Sequence, residues 1–243
     1  VFENVRRYGF ECRMWNATVE QIDGIADDYE RIATAFRQGS TVYVNDAIAA
    51  SNKDFSSAGL PLAMGKVALG VFTRRELAEH LVRAREGGLV SFSGLKLDKL
   101  KDLHGIVKRG RVEMLIAGGS PAMALRKADG ELRGVEVSIG AAGEESSKGE
   151  KAYVPPSAIE AAREMLKDAH AKGVKVVLPV DFVLDDGSVA SDIPPHAWQL
   201  DVGPESRKLF EQEALAWAAR TKRRAAFHNG VLGEYEKTVC ELF

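Results

Sequence analysis

Two lysines in one short stretch carry the first chemical signal. Gly94-Leu95-Lys96 and Asp98-Lys99 follow directly on the apolar run Leu89 to Ser93. Glycine at the end of a strand has no Cβ, so a planar base or a phosphate can approach the backbone closely. Amides at the start of a following helix favour an anion, and two ammonium groups just past the turn would neutralise it. Phosphoryl transfer uses this equipment: positive charge on the equatorial oxygens and little covalent chemistry from the protein. Taken alone, the same residues also read as a turn glycine beside solvated lysines. Gly118-Gly119 has a second reading as a tight, closely packed turn, Asn229-Gly230 as a plain turn, and Glu236 as a surface carboxylate. No Walker-type Gly-x-x-x-x-Gly-Lys-Ser/Thr run is present.

Other chemistries find less support. His80, His104, His170, His196 and His228 are scattered with no His-x-x-x-His pair, so no metal site is expected. Cys12 and Cys240 cannot build a disulfide framework or a four-ligand zinc site. The reduced cytoplasm is the natural setting for such a chain. There is no Gly-x-Ser-x-Gly elbow. Asp185-Asp186-Gly187 reads as a solvated turn, and Lys222-Arg223-Arg224 as a charged approach to a strand.

The elements that must position these residues alternate between strand and helix. Residues 17–38 read as one helix, with Val19, Ile22, Ile25, Ala26, Tyr29, Ile32 and Ala33 at three- and four-residue steps. Thr41 to Val44 reads as a short strand, and 47–60 as a small, polar loop. Thr73 with Glu76, and Ser157 with Glu160, have capping-box spacing ahead of helices. Ser120-Pro121 offers an N-cap and an N1 proline. Leu89–Ser93, Val112–Ala117, Val174–Leu178 and Arg224–His228 read as strands, the third needing burial on both faces. Gly203-Pro204 opens a helix, and the Gly-, Glu-, Ser- and Lys-rich stretch 136–152 reads as a mobile loop. The order predicts an α/β fold, a parallel sheet covered by helices on both faces. Ligands of such sheets bind in the crevice beyond the strand C-termini, where Gly94, Gly118-Gly119, Pro179-Val180-Asp181 and Asn229-Gly230 should converge.

Composition bounds these readings. The 243 residues amount to about 1.6 average domains. Apolar residues at 45% and charged residues at 28% exclude a disordered tail or a rod. With 33 basic against 35 acidic residues there is no excess of positive charge for nucleic acid. No apolar run approaches membrane-spanning length. Val1 to Val5 reads as part of a strand, and Thr238 to Phe243 stops in an apolar stretch. Both ends are therefore expected to look cut, with unpaired strand edges or exposed apolar faces.

The segments, in this order, resemble the phosphoglycerate kinase family. Glu3-Asn4-Val5-Arg6 is similar to its Glu-Asn-Leu-Arg, and Val42 to Ala47 to its Tyr-Val-Asn-Asp-Ala-Phe. Gly94 to Lys99 resembles Gly-Ala-Lys-Val-Ser-Asp-Lys, one residue shorter, and Ile116 to Gly119 resembles Ile-Gly-Gly-Gly. Leu178 to Val183 and Leu200 to Ser206 are near-verbatim. His228 to Glu236 resembles Trp-Asn-Gly-Pro-Met-Gly-Val-Phe-Glu.

The resemblance implies a two-lobed glycolytic kinase moving a phosphoryl group between 1,3-bisphosphoglycerate and ADP (3-phosphoglycerate and ATP in reverse) with Mg2+. It implies a Rossmann-like nucleotide lobe over 87–243, incomplete at its end, an inter-lobe helix over 73–86, and a partial substrate lobe over 1–72. Lys96 and Lys99 would touch the phosphates and the group in transit. Gly94, Gly118 and Gly119 would border the adenosine, Asn229 the outer phosphates and Glu236 the ribose, with Gly203 and Pro204 in the same nucleotide set. Arg6 would bind the acid substrate, with Lys53 where the family has arginine. The partners implied are these small molecules, with neither nucleic acid nor membrane, and a monomer.

The departures are as specific. Lys53 keeps a charge but loses the planar fork, and the family histidines on either side fall on Asn52 and Phe55. Leu95 replaces the alanine beside the expected adenine, Val231 a proline and His228 a tryptophan. Segments of the family's substrate lobe ahead, and its Gly-Gly-Gly-Asp turn behind, have no counterpart, and the chain should cover rather more than half of the family's length. Positioning both reactants contributes about 7–11 kcal/mol to such catalysis. Negligible turnover is therefore expected from this chain alone. The alternative is a non-catalytic relative that keeps the sheet to bind nucleotide or protein.

Overall fold

The computed structural model describes residues 5–39, 42–48, 51–95, 97, 99–222 and 225–233. They fall into two compact units, divided between Val82 and Arg83.

The first unit is built from short pieces. Helices α1 (Val19–Asp23) and α2 (Ala26–Gly39) replace the single helix expected over 17–38. The break falls at Asp23-Gly24, where glycine interrupts helix propagation. Thr18 and Gln21 cap α1 reciprocally, a box with the Thr-x-x-Gln spacing that such caps require. Strand β1 (Tyr43–Asn45) pairs in parallel with β2 (Val67–Leu69). The stretch between them is not a plain loop: a π-helical turn at Phe55–Gly59 runs into α3 (Leu60–Ala63). This turn buries Phe55 among Phe10, Tyr29 and Phe36.

Helix α4 (Val71–Arg75), a π-helical turn (Glu76–His80) and α5 (Leu81–Glu86) form one continuous run. It starts two residues before the expected Thr73. The cap comes from a distant residue, since Asp46 Oδ1 accepts from Thr73 N at 3.0 Å. Val5–Arg7 forms a 3-10 turn, and the rest of the first expected strand lies outside the described residues.

The second unit holds the parallel sheet. Its elements are β3 (Leu89–Phe92), α6 (Lys99–Lys108), β4 (Met114–Ala117), α7 (Gly119–Arg133), α8 (Pro156–Ala171), β5 (Lys175–Val177), β6 (Phe182–Leu184), β7 (Val189–Ala190), β8 (Gln199–Val202), α9 (Pro204–Arg220) and β9 (Ala226–Asn229). The sheet order is β5-β4-β3-β9, all parallel. Alternation along the strands sends side chains to two faces. Val90, Phe92 and Leu115 pack under α6, α7 and α8, against Leu103, Leu125 and Met165. Leu89, Met114, Ile116 and Val177 pack under α9, against Phe210 and Trp217. Strand β5 borders the sheet among the described residues, so Lys175 is exposed and only Val177 is buried, against the expectation of burial on both faces.

A second, antiparallel sheet of order β7-β6-β8, which was not expected, follows β5, and Asp185-Asp186-Gly187 is the expected exposed turn, joining β6 to β7. Two further expectations are corrected. The stretch 136–152 is more ordered in structure than an open loop: it forms 3-10 turns at Gly140–Gly143 and Glu145–Ser147 and buries Ile139, Ala141 and Ala142. Neither Ser120 nor Ser157 caps a helix, because the N-caps lie two residues earlier, Gly118 for α7 and Pro155 for α8, with no side-chain cap at either. Among the described residues, no helix is long and apolar enough to cross a membrane.

Candidate functional site

Parallel pairing brings the ends of β3, β4, β5 and β9 to one rim. Phe92 lies in register with both Ala117 and Asn229. The turns that follow interlock. Gly118 N donates to Phe92 O at 2.8 Å, Ser120 N to Gly94 O at 3.0 Å, and Ser93 N to Asn229 O at 2.9 Å. Two glycines are obligatory here. Gly119 has φ of 58°, and a Cβ on it would run into the Gly94 backbone. Gly230 has φ of 87°, and a Cβ on it would run into the Ser93 carbonyl. Close packing of backbone on backbone, the second reading given for Gly118-Gly119, is therefore sufficient to explain both glycines.

Lys99 is stitched into this rim from the first turn of α6. Its Nζ donates to Asn229 Oδ1 at 2.8 Å and to Ser93 O at 3.1 Å. It also stands 5.4 Å from the centre of the Phe92 ring. An ammonium has three donors, and among the described residues these two acceptors leave one for an incoming anion. Gly94, with φ of 108°, lies against the same ammonium. Thus Gly94, Lys99, Gly118, Gly119, Asn229 and Gly230 come together at one end of the sheet. Lys96 and Glu236 lie outside the described residues.

From Asn229 the chain crosses the rim as a strap. Gly230 meets Ser93, Leu232 lies on Gly118, and Gly233 lies against the Asp201 carboxylate at the end of β8. Gly203 and Pro204 sit at the start of α9 in a separate arrangement. There Gly203 abuts the Asp181 carboxylate, which accepts from Glu205 N at 3.0 Å and Ser206 N at 2.7 Å. Ser206 Oγ in turn accepts from Val180 N and Asp181 N. Arg126 reaches from α7 to the exit of β5, donating to Pro179 O at 2.8 Å and Ser191 O at 2.9 Å while stacking on Phe182. Desolvation in that position pulls its guanidinium pKa down. No spacing rule links Arg126, Ser206 or Asp201 to the rim; only the topology does.

Arg6 and Lys53 belong to the first unit. Arg6 Nη2 lies 3.5 Å from the buried Asp54 carboxylate, and its guanidinium stacks on Trp15. Lys53 is exposed. A cavity of about 910 Å³ opens beside Arg6, and its described lining carries three carboxylates, Glu11, Asp46 and Asp54. Glu11 is held by Ser56 and Asp46 by the start of α4. The wall is otherwise aromatic and aliphatic, with Phe10, Phe36, Tyr43 and Phe55. Phe55 itself stands where the resemblance placed a histidine, and it serves the core instead.

A parallel sheet with helices on both faces, its glycine-broken exits gathered round one lysine, defines a Rossmann-like lobe, and ligands of such sheets bind beyond the strand ends. The comparisons with known proteins agree. A family model for phosphoglycerate kinase matches residues 1–241. A phosphoglycerate kinase of Eremothecium gossypii is 30% identical over 227 residues, covering 87% of this chain and 50% of that protein. One from Koribacter versatilis is 28% identical over 209 residues, covering 80% and 46%. The solved structure of phosphoglycerate kinase from Coxiella burnetii superposes with a TM-score of 0.59 at 23% identity, over 88% of this chain and 52% of that one, and shows the shared fold. The chain belongs to the phosphoglycerate kinase family. It spans about half the length of these relatives, somewhat less than the resemblance implied.

Proposed function

We propose that the rim of the parallel sheet binds ADP or ATP, and that Lys99 is the cation receiving its phosphates. The observation that carries this is the Lys99 ammonium, held between Asn229 Oδ1 and Ser93 O where the exits of β3 and β9 meet. An ammonium fixed over backbone turns rich in amide groups suits a polyanion. In this reading Gly94, Gly118 and Gly119 border the adenosine and Asn229 the phosphates. Mg2+ would arrive on the nucleotide's own phosphates, the usual way it is bound. Among the described residues no group of three or more His, Cys, Asp or Glu side chains could hold a metal by itself.

Beside a full substrate lobe, this lobe would serve phosphoryl transfer between 1,3-bisphosphoglycerate and ADP. The chain as it stands is a nucleotide-binding lobe with negligible turnover. Arg6 is already engaged by Asp54, and the described lining of the adjacent cavity is richer in carboxylate than in cation. That surrounding disfavours an acid substrate and favours the non-catalytic reading for this chain.

Thermal-shift titration tests the assignment. The full chain should melt higher as MgADP rises to millimolar concentration, and Lys99→Met should lose most of that response. Loss of one charged hydrogen-bond donor corresponds to roughly 10- to 100-fold in Kd. No shift with the unaltered chain, or an equal shift with Lys99→Met, refutes the assignment. ATP formation from ADP and 1,3-bisphosphoglycerate above background would refute negligible turnover.

A further inference from the structure

Three buried polar atoms find no hydrogen-bond partner among the described residues: Thr73 Oγ1, Arg207 Nε and Ser93 Oγ. Ser93 is the one that lies on the rim, and it is wholly buried. A hydroxyl sealed from water without a partner is costly to a fold. The surroundings explain how it is sealed. The strap after Asn229 runs over the end of β3, and Leu232 lays its side chain on Gly118. An ideal Cβ on Gly118 would come 2.5 Å from Leu232 Cδ2 and 2.7 Å from Ser93 Oγ. The bare Cα that would admit a planar ring thus has two neighbours already: an apolar side chain that can swing away, and a hydroxyl waiting for an acceptor.

We infer that Ser93 Oγ is a ligand contact held in reserve, donating to a ring nitrogen of a heteroaromatic base that takes the place of Leu232 over Gly118. The inference rests on the nucleotide reading of the rim and extends it to the base. Ser93 divides the site by chemistry. Its carbonyl oxygen accepts from the Lys99 ammonium, which suits phosphate. Its hydroxyl lies instead at the Gly118 Cα, which it shares with Leu232, a member of the apolar cluster under α9. A base matches that second surrounding: its π-face replaces the leucine on the apolar floor, and an in-plane nitrogen lone pair accepts from Oγ. A phosphate would place charge against the apolar cluster and forgo the ammonium. Leu232 is then the cover that the base displaces, and its neighbour Val231 is already exposed.

The test compares the full chain with Ser93→Ala and Leu232→Ala, using MgADP and magnesium pyrophosphate as probes. Ser93→Ala should melt higher than the parent when free, because it removes an unpaired buried hydroxyl. It should bind MgADP about tenfold more weakly, the worth of one good hydrogen bond, and leave pyrophosphate affinity unchanged. Leu232→Ala should bind MgADP more tightly. A merely structural serine would not raise stability while lowering affinity for the base-bearing ligand alone. Unchanged MgADP affinity in Ser93→Ala, or equal weakening toward pyrophosphate, overturns the inference. If MgADP binds in a Lys99-dependent way but ignores Ser93, the inference fails and the nucleotide reading stands. If the unaltered chain binds neither probe, both fail together.

Discussion

A side chain's partner decides what it can do, and several partners in this chain are far off in sequence. Lys99 and Asn229 are 130 residues apart, yet they share a hydrogen bond because β9 lies beside β3. Both were legible as candidates: glycine and lysine after an apolar run, and Asn-Gly after another. Ser93 was not, since a serine ending a strand carries no signal until its surroundings are known. Arg6 was a candidate only through the resemblance of Glu3 to Arg6 to a family motif, and its engagement by Asp54 depends on a fold in which residues 48 apart meet. A comparable pair offers a pH test. His104 Nε2 lies 2.7 Å from Asp168 Oδ2, joining α6 to α8. That hydrogen bond holds the Asp168 carboxyl below its ordinary 3.8. A carboxyl depressed on folding adds stability above its unfolded pKa and loses it as pH falls through the folded value. Asp168→Asn should therefore melt lower than the parent at neutral pH. The gap should close as pH drops below about 3.8. Melting curves from pH 3 to 7 (roughly the carboxylate range and above) check this, and a gap that persists at the acid end contradicts it.

Elements were legible where a run was long and its ends marked. The strands β3 and β4 are fully buried apolar runs ending at glycine, so type and exit were both readable. The strands β6, β7 and β8 have two to four residues each, too few for alternation to show, and they hid in what reads as a connector. Composition misled over 136–152, where polar residues outnumber the Ile139, Ala141 and Ala142 that fasten it to the core. Capping went astray for a physical reason as well. A helix start needs acceptors for its first amides, and the fold can bring one from elsewhere, as Asp46 serves α4 and Asp181 serves α9. Asp181 and Ser206 together satisfy the start of α9 and the exit of β5 with buried bonds. Asp181→Ala should cost about 2 kcal/mol, at the upper end for a lost cap, because buried donors are left unpaired. Urea denaturation measures it. A loss below about 0.5 kcal/mol would show that water replaces the carboxylate there.

At the scale of the molecule, the two units are unequally furnished. The second has apolar clusters on both faces of its sheet. Among the described residues the first has one small cluster, with Met14, Tyr29, Ala33, Phe55, Leu60 and Met64 as its buried members. Its parallel sheet has only two strands among the described residues, and Val44, Val67 and Leu69 on them are exposed. Parallel strands ordinarily need cover on both faces. Burial is thin where Phe55 must hold three other rings together. A unit of about 80 residues has a typical stability of roughly 4–12 kcal/mol, and a buried Phe→Ala change costs about 3–5 kcal/mol. Phe55→Ala should therefore remove much of the first unit's stability and little of the second's. Native-state hydrogen exchange separates the two. Amides of α2 and residues 55–64 should lose protection in the variant, while those of β3 and β4 keep theirs. Equal loss in both would show that the chain unfolds as one cooperative body, and the division at Val82 would then describe geometry without energetic independence.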